Sequence, residues 1–278
     1  MKLTDRQVCT VQTFLPFNPQ EFDVKIKPKR QHCSSVAIKV PVKEPVKRPL
    51  YYRRGGISIY KGYCRTLLNC IDLPFDAVMT DPPYGIKCRT NFGSGRANLE
   101  GRTERFAPGN DYPAIIGDNA PFDPTWIVAT GKPAVIWGAN YCADKLPVSS
   151  GWLVWDKKRS DTISQATAEL AWTNYIFGVR VFRHLWDGFR RESEKQENYH
   201  PTQKPVALWD WVLRLRWVPK GIILDPYLGA GSLLVAAIKF GREAIGIECS
   251  EEYCEIAAKR CDVAFDTGMV FPIDRNWR

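Results

Sequence analysis

Between Gly221 and Glu248 the chain contains a complete supersecondary unit, and this stretch restricts the fold more than any other part of the 278 residues. Gly221 to Asp225 (GIILD) is an apolar run of strand length. It is followed by PYLGAGS (Pro226 to Ser232), by LLVAAIKF, which reads as a buried helix ending at Gly241, and by EAIGIE, a second strand ending in Glu248. Strand, glycine turn, helix and strand predict a βαβ unit, and such units build parallel sheets covered by helices. Gly229 and Gly231 permit a tight backbone and close ligand approach, and the first N–H groups of the helix can receive an anion. Glu248 follows Asp225 by 23 positions, near the spacing of about 20 at which nucleotide-binding units present a carboxylate to ribose hydroxyls. The expected fold is α/β, a doubly wound and mostly parallel sheet; the plain alternative is a βαβ unit with a purely structural role.

A second apolar run, FDAVMT (Phe75 to Thr80), closes on Asp81-Pro82-Pro83-Tyr84-Gly85. Open α/β sheets place ligands at the carboxyl ends of their strands, so these residues form a polar mouth. The chemistry that suits them is methylation of an amino group. Adenine's exocyclic amine has its lone pair delocalised into the ring, and two acceptors aimed at its hydrogens would localise it. Asp81 offers a side-chain acceptor and Pro82 a backbone carbonyl, and both would stabilise the positive charge that builds on nitrogen. Pro82 and Pro83 bias the residues before them towards extended backbone and bring no N–H to compete for those acceptors. Tyr84 offers a flat face for a base. Taken alone, the same run is equally a strand ending in a proline turn.

His200 to Pro205 (HPTQKP) reads as a loop that opens a helix, because VALWDWVLRL after it has apolar residues at helical spacing and Pro205 suits a first turn. Lys204 puts a charge near the glycine turn. PAVIWGAN (Pro133 to Asn140), GWLVWDK (Gly151 to Lys157) and VRVFRHLW (Val179 to Trp186) are strand candidates, and the region around ATAEL is expected to be a loop or short helix. Trp137, Trp152, Trp155, Trp172 and Trp186 crowd this region and are expected in the core rather than as platforms for bases. Lys157 and Lys158 follow a strand end, within reach of a substrate.

Together these motifs resemble those of the DNA amino-methyltransferases that use S-adenosylmethionine, over about Ile57 to Arg260. DPPYG is similar to the family's catalytic motif, DPYLGAGS to its DPFxGSGTT cofactor motif, and HPTQKP to the segment that normally precedes that motif. Catalytic motif first and cofactor motif last is the circularly permuted order of the beta class. AVIWGANYCADKLP, GWLVWDK and VRVFRHLW resemble segments of compact phage and prophage methylases. The resemblance implies a Rossmann-like methyltransferase fold, S-adenosylmethionine as cofactor and DNA as partner. Asp81, Pro82, Pro83 and Tyr84 would be catalytic, with Gly85 giving room behind the ring. Asp225, Pro226, Tyr227, Gly229, Gly231 and Ser232 would line the cofactor turn, Glu248 would hold the ribose, and Thr202, Gln203 and Lys204 would lie beside the methionine end. Tyr227 stands where the family has Phe, Ser232-Leu233 replace a Thr pair, and Tyr63 in IYKGYC replaces an acid.

The net charge of +9 is concentrated at one end. Residues 1–54 carry twelve Lys/Arg against four Asp/Glu, and the remainder is nearly balanced. A basic, proline-containing arm over 1–54, a catalytic domain over 55–265 and an extension over 266–278 are the expected divisions. The arm would bind phosphates without reading sequence. A polar stretch over 87–118 leaves directly from the catalytic motif, and Lys87, Arg89, Arg96, Arg102 and Arg105 in it, with Lys157, are candidate DNA contacts on a mobile flap. Nine scattered cysteines without a CxxC pair and three histidines favour reduced thiols and no metal site. No apolar run reaches membrane length, so a cytoplasmic protein is expected, either monomer or homodimer.

The expected reaction is methyl transfer to the 6-amino group of adenine in double-stranded DNA, with the base flipped out. Asp rather than Ser ahead of the prolines favours adenine over the 4-amino group of cytosine, which is the nearest alternative. An RNA or protein amine methylase and a noncatalytic DNA-binding protein of the same fold are the others. Only Asp187 to Tyr199 remains where this motif order normally carries target recognition, so a short or relaxed target, or recognition shared with the 87–118 flap, is expected.

Overall fold

A computed structural model of the chain describes residues 49–88, 90, 112–160, 166–186, 190–194 and 199–268. The chain divides into two compact units, Met1–Pro45 and Val46–Arg278, and every described residue belongs to the second. Its elements in chain order are β1 (Leu50–Arg54), β2 (Ile57–Lys61), α1 (Cys64–Cys70), β3 (Ala77–Thr80), α2 (Thr125–Ala129), β4 (Ala134–Trp137), β5 (Gly151–Asp156), β6 (Ala168–Thr173), β7 (Val179–Arg183), α3 (Val206–Arg214), β8 (Ile223–Asp225), α4 (Ser232–Lys239), β9 (Ala244–Glu248) and α5 (Glu251–Asp266). The strands form a single sheet of order β1-β2-β9-β8-β3-β4-β6-β5-β7.

The five central strands β2, β9, β8, β3 and β4 run parallel. They are short, and every residue of β3, β4 and β8 is buried, as expected of a sheet covered on both faces. Alternate residues feed two separate cores. Ala77, Met79, Val135 and Trp137 pack with α3, α4 and α5, whereas Val78, Ala134, Ile136, Leu224 and Ile245 pack on the opposite face with Leu67 of α1 and Ile127 of α2. The sheet is therefore doubly wound, as its sequence pattern predicts.

Local chemistry sets the helix starts. Gly231 precedes α4 at φ +80°, and a Cβ there would lie 2.8 Å from the Ala257 Cβ on α5, so helix packing as well as backbone conformation requires glycine. The Ser250 side chain caps α5 by accepting from the Tyr253 N–H, and Glu251 and Glu252 follow in the first turn, where carboxylates favour the helix dipole.

Two parts of the fold differ from expectation. The segment around ATAEL leads into β6, which pairs antiparallel with β4 on one side and β5 on the other. Alanine and glutamate are weak strand formers, and flanking strands on both sides supply what local preference lacks. Residues 50–54, read as the end of the basic arm, pair antiparallel with β2. They are also fastened to α5: Tyr51 donates to Glu255 at 2.9 Å, Tyr52 to Asp262 at 2.8 Å, and Arg54 to Asp262 and Asp266 at 2.8 and 2.7 Å. These five residues belong to the sheet rather than to the arm. Residues 1–48 and 269–278 lie outside the described residues. Among the described residues no helix is long and apolar enough to cross a membrane.

Candidate active site

β3 and β8 are hydrogen-bonded neighbours. From this pair the chain leaves in opposite directions, through β4 on one side and β9 on the other, which makes the space above their carboxyl ends the switch point where open α/β sheets bind ligands. A cleft of about 1440 Å³ opens there, lined among others by Asp81, Tyr84, Lys204, Asp225, Gly229 and Glu248. The motifs at 81–85, 200–205 and 225–232 meet in it. At its floor the Thr80 hydroxyl donates to Asp225 Oδ1 at 2.9 Å, although 145 positions separate the two residues.

On the β3 side, Asp81 has both oxygens engaged. Tyr84 Oη donates to Oδ1 at 2.5 Å and Lys204 Nζ to Oδ2 at 2.6 Å. Lys204 also reaches Glu169 Oε2 at 3.0 Å and Tyr84 Oη at 3.1 Å, and Lys157 pairs with Glu169 Oε1. Two carboxylates and two ammonium groups thus balance within one buried cluster. Burial raises the Asp81 carboxyl from its ordinary value, against the pull of Lys204. Burial would raise Glu169 too, but Lys204 and Lys157 bring it down to about 2. Burial disfavours the Lys204 charge, yet Asp81 and Glu169 carry its pKa up to about 12, so the ammonium is charged across the neutral range.

Tyr84 is held from two directions. Its ring stacks on Tyr141 at 5.0 Å and 18°, and Gly138, at φ +69°, sits so close that a Cβ would fall 1.9 Å from the ring. Room for the ring therefore comes from Gly138, whereas Gly85, expected in that role, packs on the Ala120–Pro121 backbone. The turn after β3 is fastened by buried Asp118, whose carboxylate accepts from the N–H groups of Gly85, Ile86 and Cys88 at 2.7, 3.1 and 2.6 Å. The Lys87 N–H bonds the Asp118 carbonyl at 3.1 Å, so the two ends of the 87–118 stretch are joined.

On the β8 side, burial pushes Asp225 up to about 7, despite the Thr80 and Tyr227 N–H donors that favour its charge. Glu248 Oε2 accepts from Gly229 N at 2.9 Å and Oε1 from Ser250 N at 2.8 Å, which fixes a carboxylate at the tip of β9. Pro226 and Tyr227 line the cleft, and the Tyr227 ring meets Phe122 edge-on at 5.6 Å. Ser232 is buried and accepts from Arg260 at 3.2 Å, while Arg260 also donates to Ala230 O at 2.7 Å and to Glu194 at 2.9 Å. His200 lies beside Gly229, its ring 4.6 Å from that of Tyr253. Its Nδ1 accepts from Thr202 N at 3.2 Å, and burial together with Lys204 lowers its pKa to about 4.

Asp81, Pro82, Pro83, Tyr84, Thr202, Gln203, Lys204 and the residues expected around the glycine turn, apart from Gly231, thus line one cleft. Lys204, expected beside the methionine end of a cofactor, contacts Asp81 within this cleft. Lys157, expected on DNA, is buried against Glu169. Lys87 is exposed, and Arg89, Arg96, Arg102 and Arg105 lie outside the described residues. Of the short stretch 187–199, Glu194 turns inward and accepts from Val206 N and Arg260, whereas Glu192 accepts from Leu185 N and Lys158 at the surface. Sequence reasoning passed over Glu169, Gly138, Asp118 and Tyr141. Glu169 carried one signal, a lone acid on an apolar run between two strand candidates. Trp137, Trp155, Trp172 and Trp186 are buried, and Trp155 and Trp186 also form cleft wall. Among the described residues no group of three or more His, Cys, Asp or Glu is placed to hold a metal ion.

Comparison with known proteins gives consistent matches. Residues 157–259 match the family model described as DNA methylase. The type II methyltransferase M2.LlaDCHI of Lactococcus lactis subsp. cremoris is 35% identical over 91 residues, which are 32% of this chain and 34% of the relative. The DNA adenine methyltransferase YhdJ of Escherichia coli K12 is 40% identical over 87 residues, 31% of this chain and 29% of the relative. The matched stretch thus spans about a third of the length of these curated relatives. The crystal structure of an M1.HpyAVI–SAM complex covers 73% of this chain and 99% of its own at 21% identity, with a TM-score of 0.44. By its sequence, the stretch 157–259 is similar to the DNA methylase family.

Proposed function

We propose that the protein is a DNA methyltransferase that moves the methyl group of S-adenosylmethionine to the 6-amino group of adenine. The observation that carries this reading is the Thr80–Asp225 hydrogen bond of 2.9 Å, because it sets the Asp81 turn and the glycine turn on adjacent strand tips over one cleft. The family match and the names of the relatives support it.

The residues present fit the cofactor. A Cβ on Gly229 would meet nothing nearer than the His200 ring at 3.8 Å, so the turn is open towards the cleft. Glu248 is held ready for a diol, Asp225 for a donor, and Tyr227 gives a flat wall. Gly229, Glu248, Asp225 and Tyr227 would hold the cofactor, with Thr202 and Gln203 near its amino-acid end. Bound there, S-adenosylmethionine would supply a methyl group whose bond to sulfur breaks with the electron pair remaining on sulfur.

The chain's own residues orient and stabilise. Asp81 Oδ2 and the Pro82 carbonyl accept from the amine and localise its lone pair, and as the carbon–nitrogen bond forms they offset the growing positive charge. The nitrogen then loses one proton, for which Asp81 is the nearest base. Tyr84 stacks on the adenine, which must leave the duplex to reach so enclosed a site. Most of the acceleration comes from holding amine and methyl in line.

The test is Asp81→Ala with labelled cofactor and unmethylated DNA. Loss of transfer with cofactor affinity within about threefold of wild type supports the reading, and substantial residual turnover refutes it. Nucleoside analysis of the product should give N6-methyladenine, and N4-methylcytosine would overturn the substrate.

A further inference from the structure

Glu169 lies on β6, in a segment to which no functional motif was assigned, yet it is bonded to the same ammonium group as Asp81. We propose that Glu169 is a positioning residue for methyl transfer, which takes the Lys204 ammonium when the substrate amine claims Asp81. This inference rests on the functional reading above.

The geometry makes the exchange short. Lys204 Nζ already bridges the two carboxylates, 2.6 Å from Asp81 Oδ2 and 3.0 Å from Glu169 Oε2. Its side chain is only 6% exposed, so water screens the ammonium poorly where it sits, and a buried cation left without a partner is costly. The arriving amine is neutral and gains positive charge as it reacts. With Lys204 still on Asp81, that charge would grow beside an ammonium already neutralising the carboxylate. With Lys204 drawn to Glu169, Asp81 presents its full charge to the reacting nitrogen. Lys157, whose ammonium pairs with the other oxygen of Glu169, holds this second carboxylate in place. It approaches from the carboxyl end of β5 and lies over the Trp155 ring at 4.9 Å. The arrangement is a two-position seat for one cation, with substrate arrival deciding the position.

Replacing Glu169 by Gln then has a result that lost packing would not give. The titratable or charged groups facing Asp81 are Tyr84 on its own turn, Lys204 ahead of α3, Glu169 on β6 and Asp225 on β8, with Lys157 beyond β5 and Cys88 at the start of the polar stretch facing Glu169. In E169Q the negative neighbour is gone and Lys204 settles on Asp81 alone, so Asp81 is harder to protonate and also less available to the amine. Single-turnover rates should fall on the order of tenfold to a hundredfold. The acid limb of the pH–rate profile should move to lower pH, and the KM for cofactor should stay put. Glu169→Asp should restore part of the rate. Because Gln removes the competitor that draws Lys204 away, the double variant E169Q/K204M should be no slower than K204M alone.

An E169Q rate equal to wild type overturns the inference, as do an unmoved acid limb or fully additive losses in the double variant. Wild-type protein that binds S-adenosylmethionine and DNA but transfers no methyl group overturns the functional reading and this inference together, whereas wild-type transfer with an indifferent Glu169 overturns this inference alone.

Discussion

Thr80 Oγ1 and Asp225 Oδ1 lie 2.9 Å apart at the base of the cleft, so the strand that carries the proposed methyl acceptor site and the strand that carries the proposed cofactor turn share a buried hydrogen bond. The hydroxyl favours the charged form of Asp225. In Thr80→Val the carboxyl should therefore rise above about 7 and be mostly protonated at neutral pH. Affinity for S-adenosylmethionine should drop at pH 7 and recover towards pH 9, measured by calorimetry. The loss of a donor to a buried acceptor should cost about 1–3 kcal/mol of stability in urea titrations.

Asp225 also predicts how stability changes with pH. Its folded pKa of about 7 lies above the ordinary 3.8, so between those values the folded protein holds a proton that the unfolded chain releases. That contribution is complete below about pH 4 and is lost as the pH rises to 7. Asp225→Asn should flatten the fall between pH 5 and 7.5, by on the order of a few kcal/mol. Equal slopes for the two proteins in denaturant titrations would count against the raised pKa.

Gly138 is the position at which a single methyl group should do most damage. Its Cβ would stand 1.9 Å from the Tyr84 ring, on a backbone at φ +69°. Gly138→Ala should displace Tyr84 and lower kcat by on the order of a hundredfold, while cofactor affinity, which depends on β8 and β9, changes little. Methyl-transfer kinetics beside calorimetric titration of the cofactor would check the separation.

Asp118 offers the converse case, a residue with no proposed part in the chemistry that sets the shape of the turn. In Asp118→Ala three backbone N–H groups lose their acceptor. A loss of about 1–3 kcal/mol for each donor left without water is the scale expected. Faster cleavage by trypsin between residues 87 and 118, with the fold otherwise retained by circular dichroism, is the expected readout.

What could be read from the amino-acid order followed from local physics. The apolar runs at 75–80 and 221–225, the glycine turn and the acid at 248 are short-range patterns, and they fall on β3, β8, the start of α4 and the tip of β9. Glu169 escaped because β6 is a strand by virtue of its neighbours, and nothing in AELAWT announces that it will be clasped on both edges. The partnership of Lys204 with Asp81 spans 123 positions, and no spacing rule predicts which of several lysines will close it. Gly138 fell inside the strand candidate PAVIWGAN, and its purpose became visible only once the Tyr84 ring stood against it.

The clasp between β1 and α5 has a consequence for connectivity. Tyr51, Tyr52 and Arg54 grip Glu255, Asp262 and Asp266, so the first and last elements of the described fold touch, as though residues 50–266 were a nearly closed loop. Joining them by a short tether and opening the loop elsewhere, for instance between β7 and α3, should leave every strand neighbour unchanged. Whether the Asp81 turn or the glycine turn is synthesised first is then a matter of where the loop was cut, and the cleft they share is indifferent to it.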